Sequence, residues 1–192
     1  MFSFDIFVNQ AFSGIGTPFT ATAFYIATWL FNPIPFLILL ALTAWIISRY
    51  YNRSEAVVFA TASLVTVLVT FVIKYLVGAA RPLGEYIPVV GSSFPSAHAA
   101  VSTAYFLMLL HFIKQTKRYG QFQLSRYVHY AFCIACPFFV GVSRLYFGVH
   151  WLSDIIAGYV IGALVVYCVI RFLEFTPTPM SRNRRKSASH SL

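Results

Sequence analysis

Charge is scarce in this sequence. Of its 192 residues only 10% are charged, and Asp and Glu together number 5. A soluble domain carries about 25% charged residues. The shortfall excludes an ordinary water-soluble globule and makes lipid the solvent for most of the chain. With 59% hydrophobic residues, the chain is expected to form one compact membrane domain with no second folded unit. Cysteine is also rare, confined to Cys133, Cys136 and Cys168. Cys133 and Cys136 form a CxxC, but inside an apolar run, whereas a redox pair needs a polar, partly exposed thiolate. No second ligand pair is spaced to complete a zinc site. Both thiols read as small apolar helix residues, and neither metal nor cofactor is expected. A repeat of fixed period is lacking too, which excludes solenoid arrays.

What charge there is leans one way, to a formal net +9. Nucleic-acid binding needs a basic face on a soluble module. Here the basic residues sit mostly in short segments between long apolar runs, the pattern of membrane topology and of contact with anionic headgroups. The expected surroundings are therefore a membrane, without nucleic acid.

Five apolar runs approach the roughly 20 residues that a helix needs to cross a bilayer. They cover residues 32–50, 55–77, 96–112, 127–145 and 151–172. The expected fold class is all-α: an integral membrane helical bundle of about five transmembrane helices. Residues 1–12 read as a short amphipathic helix with Phe4, Phe7, Val8 and Phe12 on one face. Gly14, Gly16 and Pro18 break it. Residues 17–30 are apolar but short, so an interfacial or re-entrant helix pair is expected at this end rather than a sixth span. The opening lacks the basic start and cleavage site of a signal peptide.

Arg49 and Arg53 lie between the first two spans. Lys114, Lys117, Arg118 and Arg126 lie between the third and fourth, and Arg182, Arg184, Arg185 and Lys186 lie in the tail. The positive-inside rule makes all three segments cytoplasmic and puts the N-terminus outside. Residues 1–176 form the membrane domain, and 177–192 read as a basic, disordered cytoplasmic tail. Three cations break the rule. Lys74, Arg81 and Arg144 fall at the outer ends of spans, where topology calls for few.

The same outer end collects other polar residues. Ser96, Ala97 and His98 open the third span, while His150 and Asp154 open the fifth. Each has a use for a phosphate. Guanidinium and ammonium groups neutralise its oxygens. Ser96 stands at a helix start, where free N–H groups and the helix dipole favour an anion, and the Ala97 amide lies in the same turn. His150 and Asp154, at i and i+4, share a helix face. A carboxylate there can hold one imidazole nitrogen protonated and leave the other as a nucleophile. His98, from another helix, can protonate a leaving oxygen. By contrast His111 and His129 read as polar anchors at the cytoplasmic side. Arg171 and Glu174 read as interfacial, and Tyr25, Trp29, Tyr146, Trp151 and Tyr159 as belt or packing residues.

The stretches Lys74-(six residues)-Arg81-Pro82, Pro95-Ser96-Ala97-His98 and Ser143-Arg144-(five residues)-His150-(three residues)-Asp154 resemble the three-part signature of the type 2 phosphatidic acid phosphatase superfamily. The resemblance covers about residues 32–174. It implies a helical bundle with a metal-independent lipid phosphate or diphosphate phosphatase site at the outer membrane face. It makes His150 the nucleophile that becomes phosphorylated, Asp154 its orienter and His98 the general acid. Lys74, Arg81, Ser96, Ala97 and Arg144 become the phosphate binders. The partner implied is a lipid phosphate in the bilayer. The family usually has Gly where this chain has Ala97. Ala is harmless if the amide sits in an ordinary first helical turn, and perturbing if positive φ is needed. The compact layout is similar to bacterial undecaprenyl-diphosphate phosphatases, which implies that lipid, the bacterial inner membrane and a periplasmic site. Phosphatidylglycerophosphate, phosphatidic acid and lipid A phosphatases carry the same motifs. A lipid phosphotransferase would use the same phosphohistidine. A haloperoxidase fits less well because its known members are soluble, and a lipid binder with a degenerate site because binding alone needs only the cations.

Overall fold

In a computed structural model of the chain, residues 3–12, 16–83, 87, 89–115 and 123–175 are described. Among them every regular element is a helix: α1 (Ser3–Phe12), α2 (Pro18–Trp29), α3 (Pro33–Tyr50), α4 (Arg53–Val77), α5 (Ala97–Gln115), α6 (Gln123–Tyr146) and α7 (Leu152–Phe175). The last five are long and apolar enough to cross a membrane, and they coincide with the five runs read from the sequence. Lys117, Arg118 and the tail from residue 176, with its four cations, lie outside the described residues, as do the side chains of Arg126 and Glu174.

Local signals set the helix ends. Asn52 caps α4, its side chain accepting from the Glu55 N–H at 2.9 Å, and Gly78 ends the helix at φ 60°. That left-handed stop suits glycine, which has no Cβ to clash. Pro33 opens α3 at its first position, where its missing N–H is no loss. α2 has only 12 residues, about 18 Å of helix, too short for the hydrocarbon layer. It packs on α6 through Phe24, whose ring lies 4.7 Å from Phe139 and 4.9 Å from Tyr146.

α1 corrects one expectation. Val8 and Phe12 pack inward against Ala99, Leu145 and Ile155, but Phe4 and Phe7 are exposed. The inward face is built around Asp5 instead. Its buried carboxylate accepts from the Ser153 N–H at 3.0 Å and the Ser153 hydroxyl at 2.9 Å, at the start of α7. An anion at a helix N-terminus is favoured by the free N–H groups and the dipole. That bond sets the roll of α1 and turns the two phenylalanines outward.

The core runs between α3, α4 and α5, where Phe59 meets Tyr105 at 5.2 Å and the Tyr105 hydroxyl pairs with Thr43 at 2.6 Å, and takes in Cys133 and Val140 of α6 and Val166 of α7. Lipid supplies little hydrophobic drive between helices, so close approach at small residues decides packing. α5 and α7 meet this way. A Cβ on Gly158 would lie 2.6 Å from the Ser96 carbonyl oxygen, and one on Gly162 would lie 2.3 Å from that of Ala100. The seam joins the start of α5 to the start of α7, which are the two helix ends that carry His98 and Asp154. Tyr159 confirms its packing role, since its hydroxyl donates to the Pro137 and Phe138 carbonyls of α6.

Candidate active site

Helix direction alternates along the chain, so the end of α4, the start of α5, the end of α6 and the start of α7 share one end of the bundle. All eight residues singled out in the sequence sit there. Arg49, Arg53 and Lys114 lie at the opposite helix ends.

The centre is His150, buried with Asp154. Its Nδ1 lies 3.2 Å from Asp154 Oδ2. A carboxylate only accepts, so Nδ1 carries the hydrogen and Nε2 keeps its lone pair. The same Oδ2 also accepts the Trp151 N–H at 2.9 Å and the Ser93 hydroxyl. Three donors on one oxygen fix the carboxylate, and the carboxylate fixes the ring. Burial is the largest cause that lowers His150, to about 4; Arg144 and Lys74 push the same way, and the bond to Asp154 opposes them. The imidazole is therefore neutral at ordinary pH, with a free lone pair.

Ser96 stands just before α5. Its N–H donates to the Asp154 carbonyl at 3.0 Å, and its hydroxyl accepts the Ala99 N–H at 3.5 Å. The first bond ties the α5 start directly to the α7 start. Ala97 is the first residue of α5, and its φ is not positive. The ordinary helical turn therefore accommodates Ala in place of Gly.

The cations approach from three directions. Lys74 Nζ donates to the Ser92 and Ser93 carbonyls at 2.6 and 3.2 Å. Arg81 donates through Nε to Gly91 at 3.0 Å, through Nη1 to Val149 at 2.6 Å and through Nη2 to Ser92 at 3.3 Å. These two side chains thus brace the segment before α5 and join it to the residue before His150. Arg144 is buried; its Nη1 donates to Thr28 of α2, and its Nε, also buried, has no hydrogen-bond partner among the described residues. A buried guanidinium N–H without an acceptor is costly unless an anion fills the place. His98 lies at the side of this group, with Nε2 at 3.0 Å from the Asn32 side-chain oxygen. It lines an apolar slot of about 250 Å³ with Lys74, Phe31, Phe36 and Phe71. A larger cavity of about 850 Å³ opens on the other flank, between α1, Arg81, Trp151 and Asp154.

Four contributors went unread in the sequence. Ser93 was legible only as the residue before a Phe-Pro. Thr28 is one hydroxyl in an apolar helix. Asn32 precedes two prolines in Asn-Pro-Ile-Pro, and Asp5 is an acid in an otherwise apolar stretch. Only Asn32 and Asp5 carried a signal, a cap without donors and a charge without a partner nearby.

A histidine fixed by a carboxylate, a second histidine, a buried Arg144 and the half-buried Lys74 and Arg81 thus gather at one end of a bundle of membrane-length helices, the layout of an integral membrane protein. The chain belongs to the PAP2 superfamily, the phosphatase family whose three-part signature it carries: the family model described as "PAP2 superfamily" matches residues 55–176. Phosphatidylglycerophosphatase B of Bacillus subtilis (strain 168) is 29% identical over 112 residues, 56% of this chain and 52% of that protein. The matched stretch therefore spans about half of that relative. The crystal structure of a transmembrane PAP2 type phosphatidylglycerolphosphate phosphatase from Bacillus subtilis has a TM-score of 0.81 at 21% identity, over 91% of this chain and 87% of that one. Aquifex aeolicus LpxE gives 0.70 at 18%, over 88% and 96%. At these identities the likeness speaks for the fold, and at 91% of this chain it reaches beyond the family match.

Proposed function

We propose that the protein is a lipid phosphatase that hydrolyses phosphatidylglycerophosphate through a phosphohistidine on His150. The observation that carries the reading is the fixed, neutral His150 among Lys74, Arg81 and Arg144. The substrate rests on the names of the two Bacillus subtilis relatives. Neither of those names mentions undecaprenyl diphosphate, the lipid that the compact layout suggested, so it takes second place, with phosphatidic acid. The site faces the periplasm of a bacterial inner membrane, because Arg49, Arg53 and Lys114 mark the other end as cytoplasmic.

In the mechanism, the phosphoryl oxygens sit among the cations, the Ser96 hydroxyl and the Ala97 amide, where charge stabilisation does most of the work. His150 Nε2 attacks phosphorus in line, and the P–O bond to the lipid breaks as His98 gives its proton to the leaving oxygen. Asp154 stabilises the ring as it becomes cationic. His98, now neutral, takes a proton from water, whose oxygen attacks the phosphohistidine and frees phosphate. The test is phosphate release by the detergent-purified protein in chelator from phosphatidylglycerophosphate, phosphatidic acid and undecaprenyl diphosphate. Fastest release from the first supports the proposal, and faster release from another replaces the substrate.

Two further outcomes follow. Protonation of His150 removes the nucleophile, and burial holds that step near 4. The acid limb of kcat/KM is expected near there, well below the ordinary histidine range of about 6.5. A pH series of initial rates with an acid limb near 6.5 would contradict it. Thr28→Val removes the acceptor from Arg144, while Thr28→Ser keeps it. A hydrogen bond to a charged group contributes about 1.5–3 kcal/mol, so kcat/KM for Thr28→Val is expected to fall about 10- to 100-fold. Equal rates for Val and Ser would show that Thr28 does not hold Arg144 in place.

A further inference from the structure

We propose that Asn32 is the positioning residue of the general acid: its side-chain oxygen holds His98 Nε2–H and leaves Nδ1 as the nitrogen that exchanges the proton. The inference rests on the phosphatase reading above and adds to it a residue, a tautomer and a direction of proton transfer.

Asn32 is the N-cap of α3, yet its side chain makes no capping bond. An N-cap Asn ordinarily accepts from the second or third N–H of its helix. Here the chain reads Asn32-Pro33-Ile34-Pro35. Proline at the first and third positions removes two N–H groups, the third being one of the two usual donors. Helix initiation is left to the fixed φ of Pro33 and to the Asn32 carbonyl, which accepts the Phe36 N–H at 2.9 Å. The amide is therefore free of local duty, and it lies 3.0 Å from His98 Nε2, 66 residues away. Its neighbours Phe31 and Pro33 line the same apolar slot as His98. In the mechanism proposed above, the lipid leaving group departs into that slot.

The charged or titratable groups around His98 are Lys74 from α4, Arg81 after it, Arg144 from α6 and His150 before α7. Of these only His150 has a nitrogen lone pair, and it is needed for attack. Asn32 supplies a neutral acceptor instead. With oxygen accepting Nε2–H, the cationic ring has one mobile proton, on Nδ1. Transfer to the leaving oxygen breaks Nδ1–H and leaves the Nε2–H tautomer. In the second half-reaction Nδ1 takes one proton from water, and the cation is restored. A ring without Asn32 would distribute its single hydrogen over both nitrogens and rotate between them.

The experiment compares Asn32→Leu, which keeps the shape, with Asn32→Asp, which keeps an acceptor. Each variant and the wild type are assayed in detergent micelles on two phosphate monoesters. Phosphatidylglycerophosphate has an alkoxide leaving group that needs a proton, and p-nitrophenyl phosphate has one that does not. General-acid help contributes about 100- to 10,000-fold. Asn32→Leu is expected to forfeit about 10- to 100-fold of it in kcat/KM on the lipid and less than about threefold on the aryl ester. Asn32→Asp should recover most of the lipid activity. Equal losses on both esters, or equal losses in Leu and Asp variants, would reduce Asn32 to a structural residue and overturn the proposal. The nitrogen shifts of ¹⁵N-histidine protein, with His98 assigned by His98→Gln, give a readout independent of turnover. In spectra taken at a pH where the His98 ring is neutral, the Nε2–H tautomer in the wild type and a mixture in Asn32→Leu are expected; the same tautomer in both overturns the proposal. Should the wild type release phosphate from neither ester, the phosphatase reading fails, and the nitrogen shifts still decide on Asn32.

Discussion

His150→Ala will abolish phosphate release while leaving the bundle folded. Removal of a nucleophile in a covalent mechanism costs about a millionfold where the rest of the site is intact, so turnover should fall below detection. The geometry makes this the most severe of the single changes. Nε2 of His150 is a lone pair held fixed, through Nδ1 and Asp154. Under the proposed mechanism His98 does not substitute, because its Nε2 lies against Asn32. Asp154→Asn should act in the same direction but less completely. An amide can present its N–H to Nδ1 and invert the tautomer, which in the Ser-His-Asp triad costs about 10,000-fold. The check is a rapid quench with ³²P-labelled lipid phosphate. Acid-labile, base-stable label should appear on the wild type and be missing from His150→Ala, with size-exclusion and circular-dichroism profiles of the two matching. Turnover by the variant in chelator at more than about 1% of wild type would exclude His150 as the nucleophile.

The parts of this protein that were legible in its sequence are those that depend on one helix at a time. Spans are recognised by apolar length, so five helices fall where the runs do. His150 and Asp154 pair at i and i+4, a spacing that determines their contact wherever the helix goes. Alternation of the spans gathers Lys74, Arg81, Ser96, Ala97, His98 and Arg144 at one end, with Arg49, Arg53 and Lys114 at the other. What escaped depends on approach between elements. Ser93 reaches Asp154 across 61 residues, and Thr28 reaches Arg144 across 116. The roll of α1 follows from a single carboxylate finding Ser153, which outweighs the aromatic stripe that the pattern favoured. The cations carried a second surprise. Charge alone suggests phosphate binding for Lys74 and Arg81; what the structure shows is that their hydrogen bonds to the 91–93 carbonyls brace the loop.

Gly158→Ala is the second change expected to have a large effect, through geometry rather than chemistry. Asp154, Gly158 and Gly162 repeat every four residues along one face of α7, the face that lies on α5. A methyl group at 158 would meet the Ser96 carbonyl oxygen at 2.6 Å, Ala99 Cβ at 2.9 Å and the Ala100 nitrogen at 3.1 Å. Two of those atoms are backbone, so no side chain can swing aside and α5 itself must move. Alanine gains about 1 kcal/mol of helix propensity over glycine. Overpacking costs about 1–3 kcal/mol, so the net effect on stability is modest. Catalysis is more sensitive. The Ser96 N–H to Asp154 carbonyl bond, 3.0 Å long, crosses this seam one turn away. Displacing α5 carries Ser96, Ala97 and His98 away from His150. A misplacement of about 1 Å in a preorganised site can cost about 100-fold. Gly158→Ala should therefore lose about 100-fold in kcat, with a melting temperature only a few degrees lower. Gly162→Ala is the control. It clashes at least as hard, with the Ala100 carbonyl at 2.3 Å, but one turn farther from the reacting groups. Its thermal stability should fall by a similar amount or more, and its kcat should fall less. Wild-type kcat in Gly158→Ala, or a larger kcat loss in Gly162→Ala, would show that the α5–α7 seam does not set the distance between the two histidines.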